Sequence, residues 1–96
     1  MFRQLNERLA DLLDELGADA DSFEIFCECG DDSCVERITV QRDVYEQTRR
    51  HPDRFIVVTD HVVPSLERPM LEAPGFQVIE KHPAEAGIAR ATDPRA

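Results

Sequence analysis

The stretch Cys27-Glu28-Cys29-Gly30-Asp31-Asp32-Ser33-Cys34 contains all three cysteines of this 96-residue chain. Three cysteines cannot all pair within one chain, and clustered cysteines in a reducing compartment are more often metal ligands or redox centres than structural disulfides. Side chains at i and i+2 of a strand point the same way with Cα atoms about 6.6–6.8 Å apart, at the outer limit for a disulfide but suitable for two thiolates on one ion. A turn over 30–33 would bring Cys34 back to the same end. The stretch therefore predicts a metal site with Cys27, Cys29 and Cys34 as three ligands.

The fourth ligand is sought among the three histidines and the acids of the loop. His51 and His82 each precede a proline at a helix boundary, which is a common capping or surface position. His61 follows the apolar run 55–58, and the end of that strand can face the cysteines if the two lie side by side. We expect His61 to close a tetrahedral Zn²⁺ site with the spacing C-x-C-x4-C-x26-H.

Two other states of the cysteines stay open at this stage. The thiols could carry no ligand, or they could form a redox or iron–sulfur centre. The acidic neighbours Glu28, Asp31 and Asp32 disfavour a reactive thiolate in the metal-free chain because like charges repel, whereas a bound cation reverses that effect.

An amphipathic helix is predicted at the start of the chain, over 1–17. Apolar residues recur at spacings of 3, 4, 3 and 4, and Gly17 is a natural stop. The apolar stripe consists of Phe2, Leu5, Leu9, Leu12 and Leu16. We expect this stripe to pack on the sheet of the same domain and the polar side chains, Arg3, Asn6 and Glu7 among them, to face solvent. The same spacing fits a short a/d seam, so the alternative is a homodimer or capture of a partner helix through residues 2–16.

Strands are predicted on both sides of the cysteines and in the second half of the chain. Residues 22–29 alternate, which places Cys27 and Cys29 on the core face and Glu28 on the opposite face. The second arm of this hairpin is predicted over 35–41. The unbroken apolar run Phe55-Ile56-Val57-Val58 is typical of a central strand that is buried on both faces. Ala73-Pro74-Gly75 predicts a further hairpin, with Pro69 in an edge strand.

The predicted fold class is α+β: a single domain, 1–96, with an N-terminal helix and an antiparallel sheet of about four to five strands in two hairpins. The cysteine-hairpin metal site belongs to the first hairpin. The predicted elements are a helix over 1–17, the cysteine hairpin over 22–41, a helix over 42–51, the central strand over 54–61, a hairpin over 66–81 and a short helix over 83–92.

The net charge of −9 is distributed unevenly. Residues 7–36 hold eleven acidic side chains and one basic one, whereas residues 37–54 hold five arginines and three acids. The acidic half argues against a nucleic-acid backbone as ligand, which requires clustered positive charge. It favours solubility and, more specifically, a basic protein partner on the acidic face. No signal peptide and no run of transmembrane length is visible, so we expect a cytoplasmic protein without a membrane partner.

Several motifs together resemble a family of small, uncharacterised bacterial proteins that occur alone or attached to regulators. A phenylalanine (Phe26 or Phe23) leads into Cys-Glu-Cys-Gly-x3-Cys; Tyr-Glu-x2-Arg-x2-Pro-x2-Phe spans 45–55; Val-x3-His ends at His61; and Ala-Gly-Ile-Ala-x2-Thr-Asp-Pro-Arg spans 86–95. The resemblance covers nearly the whole chain and departs at Pro69. It implies that the three cysteines and His61 belong together, and it implies little about activity.

The function predicted from these features is a small zinc-stabilised protein-interaction or regulatory module without catalytic activity. The chain has no Gly-rich phosphate loop, no nucleophile motif and no His-x-Glu with Pro-Cys-x2-Cys pattern of zinc deaminases. One alternative is a metal-dependent hydrolytic enzyme in which water takes the fourth position on an open zinc site, with Asp31, Asp60 or His61 as base. The other is a thiol-based redox sensor that ejects its metal when two of the cysteines are oxidised.

Overall fold

Two helices and five strands make up the part of the chain that the computed structural model describes, which is residues 2–15, 21–29, 33–64, 66–82, 87, 89 and 91. In chain order they are α1 (Arg3–Glu15), β1 (Ser22–Phe26), β2 (Arg37–Gln41), α2 (Arg42–Arg49), β3 (Arg54–Val58), β4 (Glu67–Ala73) and β5 (Phe76–Lys81). The predicted α+β class with an N-terminal helix and antiparallel hairpins is confirmed. The predicted turn at 30–32 and most of the predicted helix over 83–92 lie outside the described residues, although 87, 89 and 91 are helical.

The five strands form two sheets rather than one. β1 and β2 pair with each other, and the second sheet has the order β3-β5-β4 with all pairs antiparallel. The prediction of β3 as a central strand is therefore wrong, because β5 occupies the centre. The apolar run of β3 has a different cause: α2 and the cysteine segment cover this strand and its outer edge, so that Phe55, Ile56 and Val57 are all buried.

The first strand is shorter than predicted. β1 ends at Phe26, although the N–H of Cys27 still donates to the carbonyl of Glu36 at 2.8 Å. The expectation that Glu28 faces solvent is wrong, since only 1% of this residue is exposed. The alternation fails because the chain leaves the ladder after Phe26 and turns toward β3, where Glu28 finds buried donors.

Helix α1 is rotated relative to the prediction. Its buried residues are Arg3, Asn6, Glu7 and Ala10. The leucine stripe is only partly covered, and Leu5 and Leu12 are 39% and 49% exposed. The polar side chains can be buried because each one finds a hydrogen-bond partner on another element, which removes most of the cost of desolvation.

The core lies between the two sheets and the helices. Phe23 of β1 meets Tyr45 of α2 edge to face, with ring centroids 5.1 Å apart. Phe26, which has no place on the inner face of β1, stacks on Phe2 at 4.9 Å and so finds its cover. The buried apolar residues are Ala10, Phe23, Ile25, Cys27, Cys29, Ile38, Val40, Tyr45, Phe55, Ile56, Val57, Phe76, Val78, Ile79 and Ala89.

The second hairpin follows its turn sequence closely. Ala73 pairs with Phe76 across Pro74 and Gly75, and the φ of Gly75 is 86°, a conformation that favours glycine. Pro69 lies in the edge strand β4 next to an irregularity in the register, as its missing N–H requires. None of the helices in the described part of the chain is long and apolar enough to cross a membrane.

Candidate metal centre

Four side chains from three segments converge at the loop end of the first hairpin, where β1 is connected to β2. One ligand atom from each of Cys27, Cys29, Cys34 and His61 lies within 4.8 Å of the others. The Nδ1 atom of His61 is 3.5 Å from the Sγ of Cys27 and 3.7 Å from the Sγ of Cys34. The structure thus brings together all four residues that the sequence singled out, and this cluster could hold a metal ion.

The distances fit a tetrahedral metal. With metal–sulfur bonds of about 2.3 Å and a metal–nitrogen bond of about 2.0–2.1 Å, tetrahedral angles give sulfur–nitrogen separations of about 3.5 Å and sulfur–sulfur separations of about 3.8 Å. The two measured sulfur–nitrogen distances lie close to the first value. The three thiols are free rather than joined in a disulfide. Three sulfurs and one imidazole are a donor set that suits zinc.

The segment that carries Cys27 and Cys29 takes the place of a further strand on the outer edge of β3. The N–H of Glu28 donates to the carbonyl of Ile56 at 2.8 Å, and the N–H of Ile56 donates to Oε1 of Glu28 at 2.9 Å. The N–H of Val58 donates to the Sγ of Cys27 at 3.2 Å. Two side-chain acceptors therefore satisfy backbone donors of the strand edge, and the sulfur is held in a fixed position relative to β3.

A tight turn after β3 places His61. The N–H of His61 donates to the carbonyl of Val58 at 2.9 Å, and Asp60 within this turn has a φ of 72°. Aspartate is one of the few residues other than glycine that tolerate this left-handed conformation. The turn reverses the chain directly after the strand and directs the imidazole back toward the sulfurs.

The two ring nitrogens of His61 have different neighbours. Nδ1 faces the sulfurs, while Nε2 lies 3.4 Å from a carboxylate oxygen of Glu36. A carboxylate beside the outer nitrogen favours the tautomer with hydrogen on Nε2, which leaves Nδ1 free to bind a metal. Glu36 is exposed and directly precedes β2.

A buried ion pair lies directly behind the cysteines. Nη2 of Arg49 donates to Oε1 of Glu28 at 2.6 Å, and the two side chains are 1% and 0% exposed. Asn6 completes the site: its Nδ2 donates to Oε2 of Glu28 and to the carbonyl of Phe26, both at 2.8 Å, and its Oδ1 accepts from the N–H of Phe26 at 2.9 Å. The carboxylate between the two buried cysteines therefore ties the metal segment to α1, α2 and β3.

Aromatic rings surround the guanidinium of Arg49. Among the described residues its Nε and Nη1 have no hydrogen-bond partner, but the rings of Tyr45 and Phe55 lie 5.4 and 5.9 Å from its Cζ. The attraction between the cation and these rings compensates in part for the missing bonds. Burial raises the pKa of the Tyr45 hydroxyl well above its usual value, so this group stays a donor, to Glu7 at 2.8 Å.

Burial also governs the chemistry of the first cysteine. It raises the pKa of the Cys27 thiol to about 12, against the opposing effect of the N–H of Val58. In the absence of a cation this thiol is protonated at neutral pH and is a poor nucleophile. A bound metal would displace the proton, since only the thiolate is a ligand.

The sequence predicted the four candidate ligands but not the residues that position them. His51 and His82 lie outside the cluster, as expected; Nε2 of His82 contacts the carbonyl of Pro64 at 3.1 Å. Arg49 and Glu28 were missed because a buried charge pair has no periodicity of its own. The available signal was the helical spacing between Tyr45 and Arg49, which puts both on one face of α2.

Comparison with known proteins finds no relative of this chain. No family model matches the chain, and neither a similar curated protein nor a similar solved structure was found. The class of protein is thus defined by its own fold and site: a compact α+β domain of two small antiparallel sheets with a Cys₃His cluster at the end of its first hairpin.

Proposed function

We propose that this chain is a small protein-interaction or regulatory module whose fold is stabilised by one structural Zn²⁺ ion bound to Cys27, Cys29, Cys34 and His61. The observation that carries the proposal is the convergence of three sulfurs and one imidazole nitrogen within 4.8 Å. Within the described residues, no other group of three or more His, Cys, Asp or Glu side chains lies close enough to hold a metal.

A structural role is favoured over a catalytic one by the number of donors. Catalytic zinc sites have three protein ligands and keep one position for water, whereas structural sites have four. An open site here would require His61 to stay unbound, although its Nδ1 already lies near two of the sulfurs. With four protein donors the metal has no position at which to activate water.

The architecture indicates that a bound metal would stabilise the first hairpin. The first sheet has only two strands, and an isolated pair of strands is marginally stable in water. The two strands are joined through residues 27–36, and in the described part of this connection the bond from the N–H of Cys27 to the carbonyl of Glu36 continues the pairing. A metal that joins Cys34 to Cys27, Cys29 and the end of β3 would close this loop, and its binding free energy would add to the stability of the fold.

An interaction role is supported by what the surface offers. The described residues show apolar side chains exposed on α1, and large contiguous apolar areas on soluble proteins are commonly binding sites. Acidic residues of the 7–36 half are also exposed away from this apolar stripe, among them Asp11 and Glu36, and they would suit a basic partner.

The test is metal content combined with stability. Protein purified without a metal-affinity step should contain about one zinc per chain, and chelation should lower its melting temperature. Cys29→Ser and His61→Ala should each lose zinc and stability together. The exposed His51 lies outside the cluster, so His51→Ala is the matched control and should keep both.

The same experiment can contradict the proposal or favour the catalytic alternative. A zinc-free protein whose melting temperature is unaffected by chelators would contradict the proposal. If His61→Ala keeps its zinc and its stability, the site is open, as the catalytic alternative requires.

A further inference from the structure

Helix α1 leaves two of its four described leucines, Leu5 and Leu12, unused by its own domain, while Leu9 and Leu13 pack against the core. Because Arg3, Asn6 and Glu7 occupy the buried side, Leu5 and Leu12 lie on the solvent side, 39% and 49% exposed. Leu9, between them along the stripe, is half-buried. The stripe is therefore continuous, apolar and accessible along two turns of the helix.

A groove runs alongside this stripe. It has a volume of about 240 Å³ and lies between α1 and the solvent face of the first sheet. Its lining residues are Leu9, Glu24, Ile25, Phe26 and Arg37. The apolar floor and the leucines beside it match the requirement of a second amphipathic helix, which inserts side chains at i, i+3, i+4 and i+7 into such a groove.

The charges at the border of the stripe decide which helix fits. On the solvent side of α1, Arg8 and Glu15 are exposed, seven residues apart on one line, and neither makes an ion pair with another described residue. Across the groove, Glu24 and Arg37 form an ion pair of 3.8 Å. Each border thus carries one positive and one negative charge. A uniformly basic helix would meet repulsion from Arg8 and Arg37, whereas a helix with the same mixed pattern would meet complementary charges.

We propose that the leucine stripe of α1 binds α1 of a second copy of this chain in antiparallel orientation, forming a twofold-symmetric homodimer. In this arrangement Arg8 of each copy faces Glu15 of the other, so the axis generates two attractive pairs. A parallel arrangement would instead place Arg8 and Glu15 against the opposite flank of the partner helix, where Asn6 and Leu13 lie, and would form no charge pair. The leucines of each helix enter the groove of the other.

The experiment measures the mass of the full chain in solution over a wide range of concentrations by analytical ultracentrifugation. The parent protein should form a concentration-dependent dimer. Leu12→Glu should weaken association by more than about a hundredfold, because it would place a charge in the apolar contact. Arg8→Glu and Glu15→Arg should each weaken it about tenfold, since two pairs change from attraction to repulsion.

The two charge variants also test the orientation. An equimolar mixture of Arg8→Glu and Glu15→Arg chains should form a heterodimer about as tightly as the parent forms its dimer, because both pairs become complementary again. Asp11→Arg carries the same charge change as Glu15→Arg on the side of α1 away from the stripe, and it should leave association unchanged. Circular dichroism of each variant verifies that the fold is retained.

Two results would overturn the proposal. The first is a parent protein that stays monomeric up to near-millimolar concentration, which would leave the stripe to another partner. The second is a mixture of the two charge variants that associates no more tightly than either variant alone, which would exclude the antiparallel pairing even if a dimer exists.

Discussion

The two hairpins of this chain are held together in opposite ways. The hairpin β4–β5 closes through a two-residue Pro-Gly turn, pairs along its length and gains β3 as a third strand. The hairpin β1–β2 has a long connection, only two strands and a tip that depends on side chains from elsewhere. The comparison shows that one half of the molecule is specified by local sequence, and the other by contacts between residues far apart in the chain.

One ion pair from each region shows a similar contrast, although the second hairpin also contains a largely buried pair, Lys81 with Glu67. In the second hairpin, the partly exposed Glu80 accepts hydrogen bonds from the exposed Arg68 at 2.7 Å and from the partly exposed Arg54 of β3 at 3.0 Å. In the first, Glu28 and Arg49 are buried. A surface pair contributes little because water screens it, whereas a buried pair becomes costly as soon as one partner is lost.

Metal removal should separate the two hairpins most strongly. Structural zinc binds small domains with apparent free energies of about 10–16 kcal/mol, more than any single side chain contributes. In chelated protein, amide hydrogens of β1 and β2 should exchange much faster, while those of β5 should keep more of their protection. Hydrogen-exchange mass spectrometry with and without zinc measures both regions in one sample. Equal changes in both hairpins would show that the metal does not act locally.

The buried carboxylate should come next in size. Glu28→Gln leaves the Arg49 charge buried without a counter-ion and should cost about 3–5 kcal/mol in free energy of unfolding. Glu80→Gln makes the same chemical change where Glu80 meets Arg68 and Arg54, a more exposed position, and should cost less than about 1 kcal/mol. Urea unfolding of the two variants provides the comparison. Similar losses at both positions would mean that Glu28 is less essential to the first hairpin than its contacts indicate.

The turn before His61 should show an intermediate effect. Asp60 has a left-handed φ of 72°, so Asp60→Val should cost about 1–2 kcal/mol through backbone strain and reduce zinc content. Asp60→Gly accepts the same φ and should retain zinc. Gly75, with a φ of 86° in the other hairpin, has no atom of the described residues, its chain neighbours apart, within 4 Å of the space that a Cβ would occupy. Gly75→Ala should therefore lose stability through φ alone and leave zinc content unchanged, as elemental analysis of the variants would establish.

The smallest effect should appear in the pH dependence of the second hairpin. The hydrogen bonds from Arg68 and Arg54 hold the pKa of Glu80 below its usual value. A carboxyl group with a lowered pKa contributes stability above the pKa of its unfolded form and loses it as the pH falls through the folded pKa. The difference in stability between the parent and Glu80→Gln should thus shrink as the pH drops below about 4.5, the usual value for glutamate. A difference that stays constant down to that range and beyond would contradict this assignment.

The same contrast explains which features of the fold and of the site could be predicted from the sequence. The Pro-Gly turn, the edge position of Pro69 and the cysteine spacing are local signals, and the structure agrees with them. The orientation of α1 could not be predicted from its leucines, because Asn6 is buried only where the backbone of Phe26 and the carboxylate of Glu28 are available to it.

The position of β3 was mispredicted for a related reason. Its apolar run satisfies the pattern of a central strand, but the cysteine segment rather than a second neighbouring strand covers its outer edge. Hydrophobic patterns report how deeply a residue is buried and not what buries it. The four candidate ligands were predictable because their chemistry, and not their periodicity, marks them.

X-ray absorption spectroscopy at the zinc edge tests the central claim most directly. Protein purified without added metal should show about three sulfur neighbours at about 2.3 Å and one nitrogen neighbour at about 2.0 Å. In His61→Ala the nitrogen contribution should be lost or replaced, and His51→Ala should leave the spectrum unchanged. A shell made only of light atoms, or a protein without zinc, would contradict the account of a Cys₃His centre.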